Sequence, residues 1–335
     1  MATHTGEVAQ KTITLTNWKR LVNTTIQFNV ERAQALTWND YVVVIASDSR
    51  NILHLYHLKH GLWSQITVKS QNVNVEEVMC NCDVQEVNPP VYYVVNSLTF
   101  AVYEGNLIFL STDSGSMSKF SANRWVECPE LKLNLINPQR PAILASEASL
   151  FNHTSDSLIV LESRDGSSLH TFRYLQNSQW SQPSKLQKSI CVSDRRVGIY
   201  HISFVTVRGY MYISNGIRTY CIDTSKAAES IPVSEITRLP LHLFTISIVE
   251  DTLLAFGGKD EDNQPSSDVY RYNPHSKVWK PAGYMRNARY GVIVAPVPQD
   301  ENTDVIVIGG YLGERSIKDR ILSCITELCE VSISQ

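Results

Sequence analysis

The chain has 335 residues, 43% apolar and 19% charged, with 30 Lys and Arg against 33 Asp and Glu for a net charge of −3. These are the proportions of an ordinary folded protein and exclude a disordered one. No basic excess exists to neutralise a phosphate backbone, and no run of about 18 apolar residues exists to span a membrane, so neither nucleic acid nor a bilayer is an expected partner.

The first eleven residues are polar and lack the apolar core of a signal peptide. Seven scattered cysteines (Cys80, Cys82, Cys128, Cys191, Cys221, Cys324 and Cys329) then read as reduced thiols in a cytoplasmic protein. Cys80 and Cys82 have no second pair at zinc-site spacing. On a strand His54 and His57 point to opposite faces, with His60 in a turn. No metal, cofactor or catalytic residue is expected.

Helical periodicity is nearly absent and short β-branched or aromatic segments recur. In chain order they are Tyr41–Ile45, Asn106–Leu110, Ser157–Leu161, Tyr210–Ile213, Thr252–Phe256 and Asp304–Ile308, each bounded by Gly, Asn, Asp or Ser. Their ends, at 45, 110, 161, 213, 256 and 308, are 65, 51, 52, 43 and 52 residues apart. A period near 50 made of short strands predicts a propeller or another repeat array.

A tryptophan follows four of these strands (Trp63, Trp125, Trp180 and Trp279), each shortly after an aromatic: Tyr56, Phe120, Tyr174 and Tyr272. The fourth unit has Tyr220 but no Trp, its place falling near Ile231 to Ile236. The sixth unit ends before any Trp, whereas Trp18 stands at the start of the chain without a strand of the first kind before it. The expectation is a six-bladed, all-β propeller of four-stranded antiparallel blades, with the strand over 11–22 closing the last blade. Closure of this kind leaves no exposed seam. The whole chain, 1–335, is then one domain with blades over approximately 33–68, 91–131, 139–187, 198–239, 240–285 and 286–335. The stretch 69–90 is read as a long loop or an edge hairpin.

The run Leu253 to Gly257 and Gly258, then Val269 to Pro274, then Trp279, resembles a kelch repeat. So does Met285 to Gly291 leading into Val305 to Gly309 and Gly310. The resemblance is specific over about 240–335 and degenerate earlier, where Ala46-Ser47, Ser111-Thr112, Glu162-Ser163 and Ser214-Asn215 replace the double glycine. It implies a binding platform for a protein or peptide, acting as a monomeric scaffold or adaptor and not as an enzyme. If the chain is part of a longer protein, it implies the substrate-recognition part of a ubiquitin-ligase adaptor. Only about 11 residues precede the first proposed strand, so no adaptor domain is expected here.

Two enzymes on related propellers are the alternatives. A sialidase-like glycosidase needs repeated Asp boxes, and Ser111 to Gly115 begins one that no other unit repeats. A copper radical oxidase needs clustered His, Tyr and Cys ligands, and here these residues are scattered. For binding, the loops after the double-glycine position carry Asp48, Arg50, Asp113, Arg164, Asp165, Arg218, Lys259, Asp260, Glu314 and Arg315. Arginine recurs there in four of six units, which suits an acidic peptide, since a guanidinium pairs two-pronged with a carboxylate.

Overall fold

The computed structural model describes residues 12–21, 33–46, 52–67, 77–78, 99–112, 114–121, 124–136, 142–147, 157–164, 167–176, 178–192, 202–224, 230–298, 303–313 and 326–334. Blade 1 is Ala33–Trp38, Tyr41–Ala46, Ile52–His57 and Leu62–Thr67, and blade 2 is Phe100–Tyr103, Asn106–Leu110, Met117–Ser121 and Arg124–Glu127. Blade 3 is Ala142–Glu147, Ser157–Ser163, Ser168–Gln176 and Ser184–Cys191. Blade 4 is Ser203–Val207, Tyr210–Ser214, Thr219–Asp223 and Val233–Glu235, and blade 5 is Thr245–Val249, Thr252–Phe256, Asp268–Asn273 and Val278–Tyr284. Blade 6 takes Ile293–Pro298, Thr303–Ile308 and Thr326–Ser334 from one end of the chain and Thr12–Arg20 from the other. Glu77–Val78 adds a fifth strand to blade 1, and Ser230–Ile231 lies parallel on the edge of blade 3.

The burial of the second strands explains both their composition and the architecture. In Val42 to Ile45 all four side chains are buried, although a strand sends alternate residues to opposite faces. Val42 and Val44 pack with Ala295, Ile306 and Ile308 of blade 6, whereas Val43 and Ile45 pack with Phe100, Leu107 and Phe120 of blade 2. Blade 5 behaves alike, with Leu253 and Ala255 facing blade 4 and Leu254 and Phe256 facing blade 6. The six large apolar clusters are the six interfaces between neighbouring blades. A sheet covered on both faces needs a continuous apolar run, which is what these strands supply.

The first strands of successive blades meet around the axis in a closed cycle, blade 6 returning to blade 1. Side chains bridge them to backbone: Gln34 donates to the Phe100 carbonyl (2.7 Å), and Thr37 donates to that of Pro296. The seam is an antiparallel pairing of Thr12↔Ser334 through Leu15↔Val331 to Arg20↔Glu327. The register shifts between Thr16 and Lys19, where Asn17 adopts a φ of 53°. The Glu330 carboxylate holds that bulge, accepting from Asn17 (2.6 Å) and Lys19 (2.8 Å).

The tryptophans follow one rule, with one correction. Trp63, Trp125 and Trp279 stand directly across from Tyr56, Phe120 and Tyr272. Trp180 stands across from Leu175 and not beside Tyr174 as its spacing implies, because Gln179–Trp180 forms a short strand of its own before Ser184–Cys191. All four, and Trp18, pack into the interface with the preceding blade. Trp180 and Trp279 also donate to carbonyls of the chain leaving that blade, Leu131 (3.0 Å) and Thr237 (2.8 Å).

His54 and His57 point to opposite faces of their strand, His54 buried and the His57 ring tilted against that of His60 with centroids 4.2 Å apart. Burial lowers the His54 pKa from 6.5 to about 4. The folded protein therefore refuses a proton that the unfolded chain accepts at pH 6.5. The stability is full above that pH and is lost progressively as the pH falls toward 4, by about 3 kcal/mol. A His54→Phe variant is expected to show a flatter acid limb in urea melts stepped from pH 7 to 4. Parallel limbs in the two proteins would contradict the assignment.

Candidate functional site

In every blade the second strand ends, and the fourth strand leaves for the next blade, at the same edge of the ring. The hairpins between first and second strands lie at the opposite edge, as do the connections between third and fourth strands in blades 1 to 5. On this linker face a belt of backbone hydrogen bonds ties the interblade linkers to the connections between second and third strands. Leu243 donates to Gly216 (2.5 Å) and accepts from Gly291 (3.0 Å). His242 and Lys259 exchange two bonds, as do Tyr290 and Tyr311, and Gly258 donates to Arg289 (2.9 Å). In blade 2, Leu133 donates to Gly115 (2.9 Å).

The double glycine is required by this closeness. Gly257 has a φ of 58°, and a Cβ there would run into the Arg289 carbonyl; a Cβ on Gly310 would stand 2.6 Å from the Val292 side chain. Where the sequence departs from glycine, polar side chains do the tethering. Asn215 donates to the Cys191 carbonyl (3.0 Å) and accepts from the amides of Ile217 and Arg218, while Glu162 accepts from the amide of Ile136 (2.8 Å).

Near the axis the belt encloses Leu243, Tyr290 and Tyr311, all buried, the two tyrosine rings stacked at 5.1 Å. Leu243 has a φ of 60°, a conformation that bulky residues rarely adopt and that its surroundings must enforce. Beneath them Arg289 (1% exposed) and Glu327 (0%) form an ion pair at 2.7 Å. Arg289 also donates to the Gly309 carbonyl (2.7 Å), and Asn287 donates to the other Glu327 oxygen. This pair ties the linker entering blade 6 to that blade's third strand. Sequence reading did not single it out, although Arg289 lies within the Met285 to Gly291 segment that carries the resemblance.

Of the ten loop residues expected to bind, Arg164, Arg218, Lys259 and Asp260 are described, and all four lie on the linker face in blades 3, 4 and 5. Arg164 is exposed. Lys259 sits over the Tyr290 ring at 4.4 Å. Asp260 shapes its own loop, accepting from the amides of Asp262 (3.0 Å) and Gln264 (2.8 Å). Asp48, Arg50, Asp113, Asp165, Glu314 and Arg315 lie outside the described residues.

Arg218 belongs to a cluster that the sequence did not reveal. The residue across from Tyr220, at the register where three other blades carry Trp, is Glu235. Its carboxylate meets Lys188 of blade 3 (2.9 Å), Arg218 (3.3 Å) and Arg238 (3.7 Å). Partial burial opposes ionisation of Glu235. The hydrogen bond from Lys188 and the two guanidinium groups outweigh it and hold the carboxyl below its usual pKa.

For the enzyme alternatives, Ser111 to Ser116 is a tight turn closed by the Gly115 and Ser111 amides (2.8 and 2.9 Å). Among the described residues, no three His, Cys, Asp or Glu side chains converge as metal ligands, and the four described cysteines are free thiols. No helix of the described residues is long and apolar enough to cross a membrane.

Six blades of four antiparallel strands, closed by the first strand of the chain, define a β-propeller. Comparison with protein families matches residues 240–286, blade 5 with its flanking linkers, to the Kelch motif. The chain is a six-bladed β-propeller whose fifth blade carries a Kelch motif. No curated protein matches it.

Proposed function

We propose that the protein is a non-catalytic interaction module, a scaffold or adaptor whose linker face docks a partner protein through an acidic segment. Kelch propellers commonly serve protein interaction, and the Kelch motif brings that prior to this chain. The observation that carries the reading is the hydrogen-bonded belt, which fixes the connections of successive blades on one face. Loops fixed on a rigid scaffold are where binding residues concentrate. Arg164, Arg218 and Lys259 supply the cationic contacts in blades 3 to 5, and Arg50 and Arg315, outside the described residues, are proposed for the same set from their places in the sequence. Asp260 and, outside the described residues, Asp48, Asp113, Asp165 and Glu314 are proposed as the acidic members of the same loop set.

The two faces each expose a large apolar residue, Leu312 (56%) on the linker face and Leu62 (64%) on the hairpin face. A photo-crosslinking residue at each position, irradiated in cell extract, compares the faces directly. The expected result is a discrete adduct from position 312, reduced by Arg164→Ala/Lys259→Ala. An adduct from position 62 alone would move the binding surface to the hairpin face.

A further inference from the structure

We infer that the charged cluster where blades 3 and 4 meet, at the rim of the linker face, binds an acidic segment of a partner protein through Lys188, Arg218 and Arg238, with Glu235 as a built-in competitor. This deepens the reading of the linker face as a docking platform and rests on it.

The cluster is marked out by a substitution within the repeat. Blades 1, 2 and 5 use a Trp opposite an aromatic to seal the contact with the preceding blade. Blade 4 places Glu235 there, across from Tyr220, and Ile231 of the added parallel strand supplies apolar cover. A carboxylate seals an apolar interface poorly, so packing does not account for Glu235. Its neighbours do: among the described residues, three cations from two blades converge on this one carboxylate.

Among the described residues that count leaves two positive charges uncompensated. Their side chains remain accessible, at 50% for Lys188, 39% for Arg218 and 56% for Arg238. Like charges gathered this closely repel one another, and a second anion relieves that repulsion. Arg218 and Arg238 offer forked donors that suit carboxylates, and Lys188 adds a point charge beside the Tyr220 ring, 5.6 Å away. An incoming carboxylate must share these donors with Glu235. Removing the Glu235 charge therefore strengthens binding, while removing a cation weakens it.

The probe is a fluorescein-labelled peptide of six glutamates flanked by glycine and serine, titrated with the full chain at low salt and followed by fluorescence anisotropy. Glu235→Gln is expected to tighten binding several-fold, and Lys188→Ala/Arg238→Ala to weaken it by about tenfold. Asp251→Asn is the control, since it removes one negative charge from the Arg208–Asp251 pair on the hairpin face and should leave affinity unchanged. Thermal melts confirm that each variant folds, which the exposure of Lys188 and Arg238 favours. Unchanged affinity in the cluster variants, equal tightening by Asp251→Asn, or no binding of the peptide at all overturns the proposal. Loss of the peptide in Arg164→Ala/Lys259→Ala with the cluster variants intact would also overturn it, yet leave the docking platform standing. The cross-linking comparison judges the platform independently of this peptide.

Discussion

Replacing Trp63 by alanine is expected to lower the unfolding free energy by about 3–5 kcal/mol, the usual cost of emptying a large aromatic site in a core. Trp63 is 7% exposed and lies where blade 1 meets blade 6, its ring 5.2 Å from Tyr56. It packs in the same cluster as Leu21, the residue just after the closing strand. The loss therefore falls on the seam as well as on the core. Trp279, at the matching register of blade 5, is only half-buried and keeps a hydrogen bond to the Thr237 carbonyl, so Trp279→Ala should cost less. Urea denaturation of both variants checks the order. A Trp63→Ala protein within about 1 kcal/mol of the parent would show that the tryptophans are not what seals the blades.

The second large effect is expected at the buried ion pair. Arg289→Met or Glu327→Leu should each cost about 3–5 kcal/mol, because the remaining group loses its partner where water cannot replace it. The double variant Arg289→Met/Glu327→Leu should lose less than the two single losses combined, since it leaves no buried charge behind. A double-mutant cycle from denaturation midpoints measures this. Strict additivity would mean that the two side chains do not depend on each other, contrary to their 2.7 Å contact.

How much was legible in the sequence differs between the frame and the surface. The runs Tyr41–Ile45 and Thr252–Phe256 announce strands buried on both faces, and their spacing gives six blades. Trp18, stranded at the start of the chain, points to the closing strand. These signals survive because they depend on strand periodicity and on large side chains. The double glycine was visible only in the last two repeats, since Asn215 and Glu162 replace a backbone contact with a side-chain one that no spacing rule encodes. Trp180 misled by one position, because a two-residue strand intervenes before the true outer strand. The Glu235 cluster was illegible for a similar reason. Lys188 and Arg218 are 30 residues apart in sequence and come from different blades, and only the register Tyr220↔Glu235 brings them to one carboxylate.

Everything said of the linker face depends on a ring closed by the two ends of one chain, and a single cross-link tests that closure. Thr16 and Glu330 are direct partners in the seam, 314 residues apart in sequence. Partners across an antiparallel pair lie about 4.5–5.5 Å apart at Cα, within the range that a disulfide spans. The variant Thr16→Cys/Glu330→Cys, purified folded and then mildly oxidised, is predicted to form an intramolecular disulfide with a shifted gel mobility and a raised Tm. A folded variant whose two new thiols stay free, or cross-link only between molecules, would contradict the closed six-bladed ring.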